Sequence, residues 1–107
     1  MTHMVISQTW LRAGEEHLEG YLALVDSFDN FLRSQPGFVK RQLVRSIEQP
    51  NHLIHLREFE TVADYEAMTQ VPEYRDQIAA LSAHVDPSAY PEGAVAREYG
   101  EVVFRSE

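Results

Sequence analysis

Cysteine is missing from this 107-residue chain, and basic residues are few. Without cysteine there is no disulfide framework, no thiolate metal site and no cysteine nucleophile. Nine lysines and arginines stand against 17 aspartates and glutamates, which gives a formal net charge of −8 at pH 7. Nucleic acids and anionic membrane surfaces would repel such a protein, so we expect neither as a partner.

Long apolar runs are missing as well. No stretch approaches the roughly 20 apolar residues that a membrane span needs. The first residues, Met1-Thr2-His3-Met4, lack the basic segment and apolar run of a signal peptide, so we expect a cytoplasmic protein. Hydrophobic residues make up 44% of the chain and charged residues 24%, which predicts one globular domain over residues 1–107.

The predicted elements follow the order strand, helix, strand, strand, helix, strand. Runs bounded by turn residues predict strands over residues 4–12, 38–47, 52–59 and 96–104. Apolar residues at helical spacing predict a first helix of about five turns that starts near Glu15 and stops at Gln35-Pro36-Gly37. A second helix is predicted to begin at an N-capping Thr61, to be interrupted by Pro72 and to end near residue 86. Residues 90–93 are predicted to form a loop.

This order predicts an α+β, ferredoxin-like βαββαβ fold, in which a four-stranded antiparallel sheet carries two helices on one face. The other face would lie in water, although apolar side chains occur on it: Ile6, Trp10, Ile54, Leu56 and Val102. Self-association through that face would cover them, so we expect a homodimer. The alternative is a monomer whose loops cover the face.

Several segments resemble the antibiotic biosynthesis monooxygenase (ABM) family, whose domains form dimeric α/β barrels. The sequence PGF at residues 36–38 ends the first predicted helix, and FETVADY at residues 59–65 has the family's spacing of aromatic, hydroxyl and aromatic residues. Residues 73–75 and 78–81 fit the family's later helix, so the resemblance covers nearly the whole chain. It implies a cofactor-independent monooxygenase that oxidises a small aromatic or polyketide-type substrate, an anthrone or quinol, with molecular oxygen.

The resemblance also implies site residues. In the anthrone-oxidising members, an Asn and a Trp on the third strand, a Tyr on the second strand, and a Tyr and an Arg on the second helix line the substrate cleft. The helix positions correspond here to Tyr65 and Arg75, the third-strand Trp and Asn to Phe59 and His55, and the second-strand Tyr to Leu43. Two of the five positions match, one is a conservative aromatic change, and two depart from the pattern.

Haem degradation, another activity in this family, is not expected. Its Trp and axial His positions on the second helix are occupied here by Met68 and Ile78. A metal site is not expected either, because His52 and His55 lie three residues apart on a strand and point to opposite faces. We therefore expect neither a cofactor nor a metal.

His55 is the residue to which we give most weight. An imidazole with an ordinary pKa of about 6.5 can take a proton from a phenol or an activated C–H group, which leaves the anion that reduces oxygen. Tyr65 would hydrogen-bond the substrate oxygen and Arg75 would stabilise its negative charge. We predict that Phe59, Trp10 and Met68 bind a small aromatic or apolar ligand.

Structural or non-catalytic interpretations of the same residues stay open at this point. His55 could be a structural, partly buried histidine and Arg75 a surface ion-pair partner. Trp10 and Met68 could be core residues. The whole protein could be a non-catalytic dimeric domain that binds a small ligand, or a cyclase or isomerase that shifts a proton without oxygen.

Overall fold

A computed structural model describes residues 1–88 and 95–106 of the chain. Its strands are β1 (His3–Trp10), β2 (Phe38–Arg45), β3 (His52–Phe59) and β4 (Val95–Glu101). Its helices are α1 (Glu15–Ser27), α2 (Asp29–Arg33), α3 (Val62–Met68) and α4 (Pro72–Ser82). The loop predicted over residues 90–93 lies outside the described residues.

The four strands form one antiparallel sheet in the order β2-β3-β1-β4. This arrangement, with its helices, confirms the ferredoxin-like α+β fold. Strands β1 and β3 lie at the centre and pair over their full lengths, from His3 opposite Phe59 to Trp10 opposite His52. The predicted bounds of β3 agree with those observed, whereas β1, β2 and β4 are shorter than predicted at their carboxyl ends.

The helices pack on the sheet face that carries the odd-numbered residues of β1 and β3. Two buried clusters hold them there, each built from strand and helix residues. The first cluster consists of Val5, Leu32, Phe59, Tyr65 and Met68. The second consists of Leu11, Tyr21, Leu53 and Leu81. Burying these side chains is the main force that holds the helices to the sheet.

The first predicted helix is in fact two helices, which corrects the prediction of a single helix. Phe28 ends α1 and precedes α2, with φ −98° and ψ 4° in place of helical values. Arg41 of β2 occupies the break: its Nη2 donates to the Val25 carbonyl oxygen (2.9 Å) and to Asp29 Oδ1 (2.8 Å). An apolar periodicity cannot reveal such a break, because the stripe continues across it.

The region predicted as a second, interrupted helix likewise contains two helices. Thr61 caps α3 as predicted, because its hydroxyl accepts a hydrogen bond from the Asp64 backbone N–H at 3.1 Å. Pro72 lies at the first position of α4, where its missing N–H costs no helical hydrogen bond. Proline therefore starts a helix here and does not merely interrupt one.

The opposite sheet face carries Met4, Ile6, Ile54 and Leu56, all partly exposed, and no described helix covers it. Trp10 also lies on this face and stacks on His52, with ring centroids 4.1 Å apart. Val103 and Phe104 beyond β4 are 77% and 83% exposed. Among the described residues, no helix is both long enough and apolar enough to cross a membrane.

Candidate functional site

A cavity of about 730 Å³ lies between the sheet and the helices, a size typical of sites for small organic ligands. Its floor is polar and comes from all four strands: Ser7, Thr9, Arg41, His55, Arg57 and Arg97. Its helical walls are mostly aromatic and aliphatic: Tyr21, Val25, Leu32, Tyr65, Tyr74, Gln77, Ile78 and Leu81. Such a cavity suits a flat apolar molecule that carries polar groups on one side.

The charge of this cavity is opposite to that of the whole protein. Its described lining includes four arginines, Arg12, Arg41, Arg57 and Arg97, and no aspartate or glutamate. The chain as a whole has a net charge of −8. The cavity is therefore a local positive region in an acidic protein, and it favours an anion or a substrate that becomes one.

Arg57 is the most deeply buried of these cations, with only 7% of its surface exposed. Its Nη2 donates to Ser7 Oγ at 2.6 Å, and its guanidinium carbon lies 5.1 Å from the centre of the Tyr65 ring. Its Nε is buried without a hydrogen-bond partner. No carboxylate among the described residues forms an ion pair with it. A buried charge without a counter-ion is costly, and none of the described residues balances this guanidinium.

Arg41 differs from Arg57 because it has a carboxylate partner. It binds Asp29 at 2.8 Å, and this hydrogen bond is the main reason that the pKa of Asp29 lies below its usual value. Arg97 is more exposed and lies over two rings, 5.7 Å from the centre of Tyr65 and 5.1 Å from that of Tyr99. Among the described arginines of the lining, Arg57 is therefore the one that is both buried and without a carboxylate partner.

His55 lies at the centre of the floor, opposite Ser7 of β1 and Leu43 of β2. Its Nε2 is buried without a partner. Burial, together with the positive charges of Arg57 and Arg41, lowers the pKa of His55 to about 2. The imidazole is therefore neutral at pH 7, and in this environment it is a weak proton acceptor.

Tyr65 and Tyr74 form a polar pair in the wall opposite the floor. Their hydroxyl oxygens lie 3.4 Å apart, and Arg97 Nη1 lies 3.5 Å from the Tyr65 hydroxyl. Burial raises the pKa of Tyr65, but the charge of Arg57 and the hydrogen bonds from Tyr74 and Arg97 outweigh it, so this pKa falls below its usual value. Burial and the neighbouring Tyr65 raise the pKa of Tyr74. Tyr65 is thus the more acidic hydroxyl and the stronger donor to a substrate oxygen.

Of the residues predicted from the sequence, the structure brings His55 and Tyr65 together at the cavity. Phe59 and Met68 are buried in the first cluster, where the ring of Phe59 packs against that of Tyr65 with centroids 5.6 Å apart. They support Tyr65 from behind and are not part of the cavity lining. Their predicted role in binding substrate would therefore be indirect.

Trp10 and Arg75 lie away from the cavity. Trp10 faces the other side of the sheet, because its side chain alternates with those of Thr9 and Leu11. Arg75 is exposed on α4 and donates to Gln70 Oε1 at 3.0 Å. Its neighbour Tyr74 faces the cavity, and the next position along a helix is rotated by about 100°.

Sequence reasoning did not select Arg57, Arg41, Arg97 or Tyr74 as site residues. Arg57 was within reach, since it lies two residues from His55 on the same strand face. Its importance depends on the lack of a nearby carboxylate, which only the folded structure reveals. Among the described residues, no group of three or more histidine or carboxylate side chains could hold a metal ion.

Comparisons with known proteins agree with this fold. The family model described as antibiotic biosynthesis monooxygenase matches residues 4–80. No curated protein matches the chain. Several solved structures match it. SnoaB, a cofactor-independent oxygenase from Streptomyces nogalater, has 15% sequence identity and a TM-score of 0.71, and the match covers 99% of this chain and 95% of that one. Rv0793 from Mycobacterium tuberculosis is 16% identical with a TM-score of 0.76, over 100% of both chains. A conserved protein from Methanosarcina mazei Go1 is 13% identical with a TM-score of 0.77, over 92% and 90%.

Proposed function

Since the chain belongs to the antibiotic biosynthesis monooxygenase family, we propose that it is a cofactor-independent oxygenase for a small aromatic or polyketide-type substrate of the anthrone or quinol kind. The observation that carries the proposal is the positive cavity, in which the buried Arg57 has no carboxylate partner among the described residues. A substrate that must become an anion before it reacts is stabilised by such a site. Likeness to SnoaB, at 15% identity, supports the fold and is consistent with the reaction.

The reaction needs an electron donor, and the substrate anion supplies the electrons. An anthrone-type CH₂ group loses a proton and forms an enolate, which transfers electrons to oxygen and forms a new C–O bond. The hydroperoxide formed after protonation loses water and leaves a C=O group. The balance is R₂CH₂ + O₂ → R₂C=O + H₂O, so one oxygen atom enters the product and the other becomes water.

Different residues of the cavity have different roles in this reaction. Tyr65 donates to the substrate oxygen, with Arg97 at 3.5 Å from the same hydroxyl, and Arg57 stabilises the enolate charge through space. His55 accepts the proton. Burial and, after it, the positive charges of Arg57 and Arg41 hold the pKa of His55 near 2, and the developing enolate offsets the effect of these charges. The base would therefore become stronger as the anion forms beside it.

Oxygen uptake with a panel of anthrones and hydroquinones tests this proposal. We expect the wild-type protein to consume oxygen with at least one of them, and Arg57→Met to lower kcat by about 100-fold, the typical effect of losing one oxyanion-stabilising donor. Arg45→Met is the matched control, since Arg45 lies on the same sheet face but outside the cavity and pairs with Glu15 at 2.9 Å. Uptake that is unchanged in Arg57→Met would contradict the assigned role.

One observation favours a second candidate, a non-catalytic domain that binds an acidic aromatic molecule. The pKa of His55, lowered to about 2 mainly by burial, makes this histidine a poor base unless a ligand restores its basicity. Under this alternative the cavity binds such molecules, and no member of the panel is oxidised. Binding without oxygen uptake would decide in its favour.

We also propose that two copies associate through the apolar sheet face. The partly exposed residues Met4, Ile6, Ile54 and Leu56 form a patch there, together with Val44, which is 42% exposed. Monomeric proteins rarely leave patches of this kind in water. A homodimer of ABM type would cover it and leave the cavity, on the opposite face of the sheet, free for substrate.

A further inference from the structure

We propose that the ligand of this cavity is an aromatic carboxylate and that Arg57 binds its carboxylate group. This inference names the substrate class within the proposed function and therefore rests on it, although binding can be measured without turnover. The first observation is that the buried charge of Arg57 lacks a carboxylate partner among the described residues. Arg57 is 93% buried, yet among residues 1–88 and 95–106 no carboxylate pairs with it.

Two carboxylates are adjacent to Arg57 in the chain or bound to another arginine of the lining, and both already have partners. Glu58 follows Arg57 in β3, points to the opposite face and is held by Thr2 (2.6 Å) and Arg105. Asp29 binds Arg41 at 2.8 Å and Arg33 at 2.7 Å. Neither can turn to Arg57 without leaving another cation unpaired. Among residues 1–88 and 95–106 no carboxylate is therefore free to pair with Arg57, which leaves a molecule that enters the cavity as the source of the negative charge.

The donors near Arg57 fit one planar, singly charged acceptor. Its guanidinium has five N–H donors, of which Nη2 binds Ser7 Oγ and Nε binds nothing. The one buried cation of the described lining without a carboxylate partner matches a carboxylate, which accepts bidentate hydrogen bonds from arginine. A phosphate has up to twice that charge and would need a second buried cation, whereas Arg41 is held by Asp29 and the other two lining arginines, Arg12 and Arg97, are exposed.

The rest of the ligand is indicated by the walls. Tyr21, Tyr65 and Tyr74 present aromatic surface to the cavity, and Ile78 and Leu81 present aliphatic surface. A small aliphatic acid would leave most of a 730 Å³ cavity unfilled, while a fused-ring aromatic acid would contact both the walls and Arg57. The reacting ring oxygen would then lie toward Tyr65 and Arg97, which stabilise the enolate, and the charge that Arg57 balances would be that of the carboxylate.

Isothermal titration calorimetry with anthraquinone-2-carboxylate and anthraquinone-2-carboxamide tests this inference. Both probes are already oxidised and have nearly the same shape, but the carboxamide is neutral and has an NH₂ donor where the carboxylate has a second acceptor oxygen. We expect the wild-type protein to bind the carboxylate about 30-fold or more tightly than the carboxamide, the usual effect of a buried charge pair. Arg57→Met should reduce this preference to near unity, and the control Arg45→Met should keep it.

Each outcome of these titrations either supports or contradicts the binding of a carboxylate by Arg57. Equal affinity for the two probes in the wild-type protein, or a preference that survives in Arg57→Met, would overturn the inference. If circular dichroism shows that Arg57→Met is unfolded, Arg57→Lys replaces it and must lower the preference, because a lysine cannot bind a carboxylate through a planar fork. Oxygen uptake with neutral anthrones but equal probe affinities would refute only the carboxylate. A carboxylate preference without any oxygen uptake would refute only the oxygenase.

Discussion

Acidification should destabilise this protein through His55. Burial and the charges of Arg57 and Arg41 lower its pKa to about 2 in the folded chain, against an ordinary value of 6.5. Between these two values the unfolded chain binds a proton at this histidine and the folded chain does not. Stability is therefore fully present above pH 6.5 and is lost as the pH falls below it.

The size of the loss follows from the same two values. One proton that binds only to the unfolded state changes the free energy of unfolding by about 1.4 kcal/mol for each pH unit. At pH 4.5, two units below the unfolded pKa, the loss from His55 alone reaches about 2.7 kcal/mol. This is a substantial share of the 5–15 kcal/mol that typically stabilises a small domain.

Urea unfolding at pH 7.5, 5.5 and 4.5, at one protein concentration, measures the effect. The wild-type protein should lose about 2.7 kcal/mol more than His55→Gln between pH 7.5 and 4.5, because glutamine does not titrate while the other groups titrate in both proteins. Thr9→Val, a non-titrating change on the same cavity floor, should leave the pH dependence unchanged. Equal pH dependence in the wild-type protein and His55→Gln would refute the buried, neutral state of His55.

Two further predictions concern the turn before β2 and the apolar sheet face. Gly37 has φ +79°, and a Cβ atom there would collide with the Asp64 side chain. Urea unfolding of Gly37→Ala should therefore give a free energy of unfolding at least about 1 kcal/mol lower than that of the wild-type protein. Gly100→Ala is the control and should not lower it, because the new Cβ would lie 3.8 Å from its nearest neighbour. Light scattering at micromolar concentration should give twice the chain mass of 12.3 kDa, and Val44→Lys, unlike Leu22→Lys on α1, should shift it toward the monomer. A wild-type monomer would contradict the association.

The fold was predictable because its local patterns agree with one another. Residues 52–59 lie between a turn and the Thr61 cap, and the predicted strand has the bounds observed for β3. The break at Phe28 could not be predicted, since it depends on Arg41, a residue of another element that takes the Val25 carbonyl. Local sequence patterns cannot show a hydrogen bond that is formed only after the chain has folded.

The candidate site was predicted less well than the fold, for physical reasons that differ among residues. Both sides of β1 are largely uncharged, so alternation could not tell which side faces the helices, and Trp10 lies on the other one. Arg75 lies one helical position away from the face of α4 that lines the cavity, and its neighbour Tyr74 lies on that face. Arg57 was not selected because the value of a cation depends on its burial and its partners, which three-dimensional packing decides.

The protein as a whole is negatively charged and its cavity is positively charged, so the net charge cannot exclude every anionic partner. Acidic side chains on the surface repel a nucleic acid or an anionic membrane, because such polyanions extend over the whole molecule. Their effect on a small ligand inside is different, since exposed charges are screened within about 8 Å at physiological ionic strength. Inside the cavity the unpaired guanidinium of Arg57 dominates. A net charge of −8 therefore argues against large anionic partners and is compatible with a small anionic substrate.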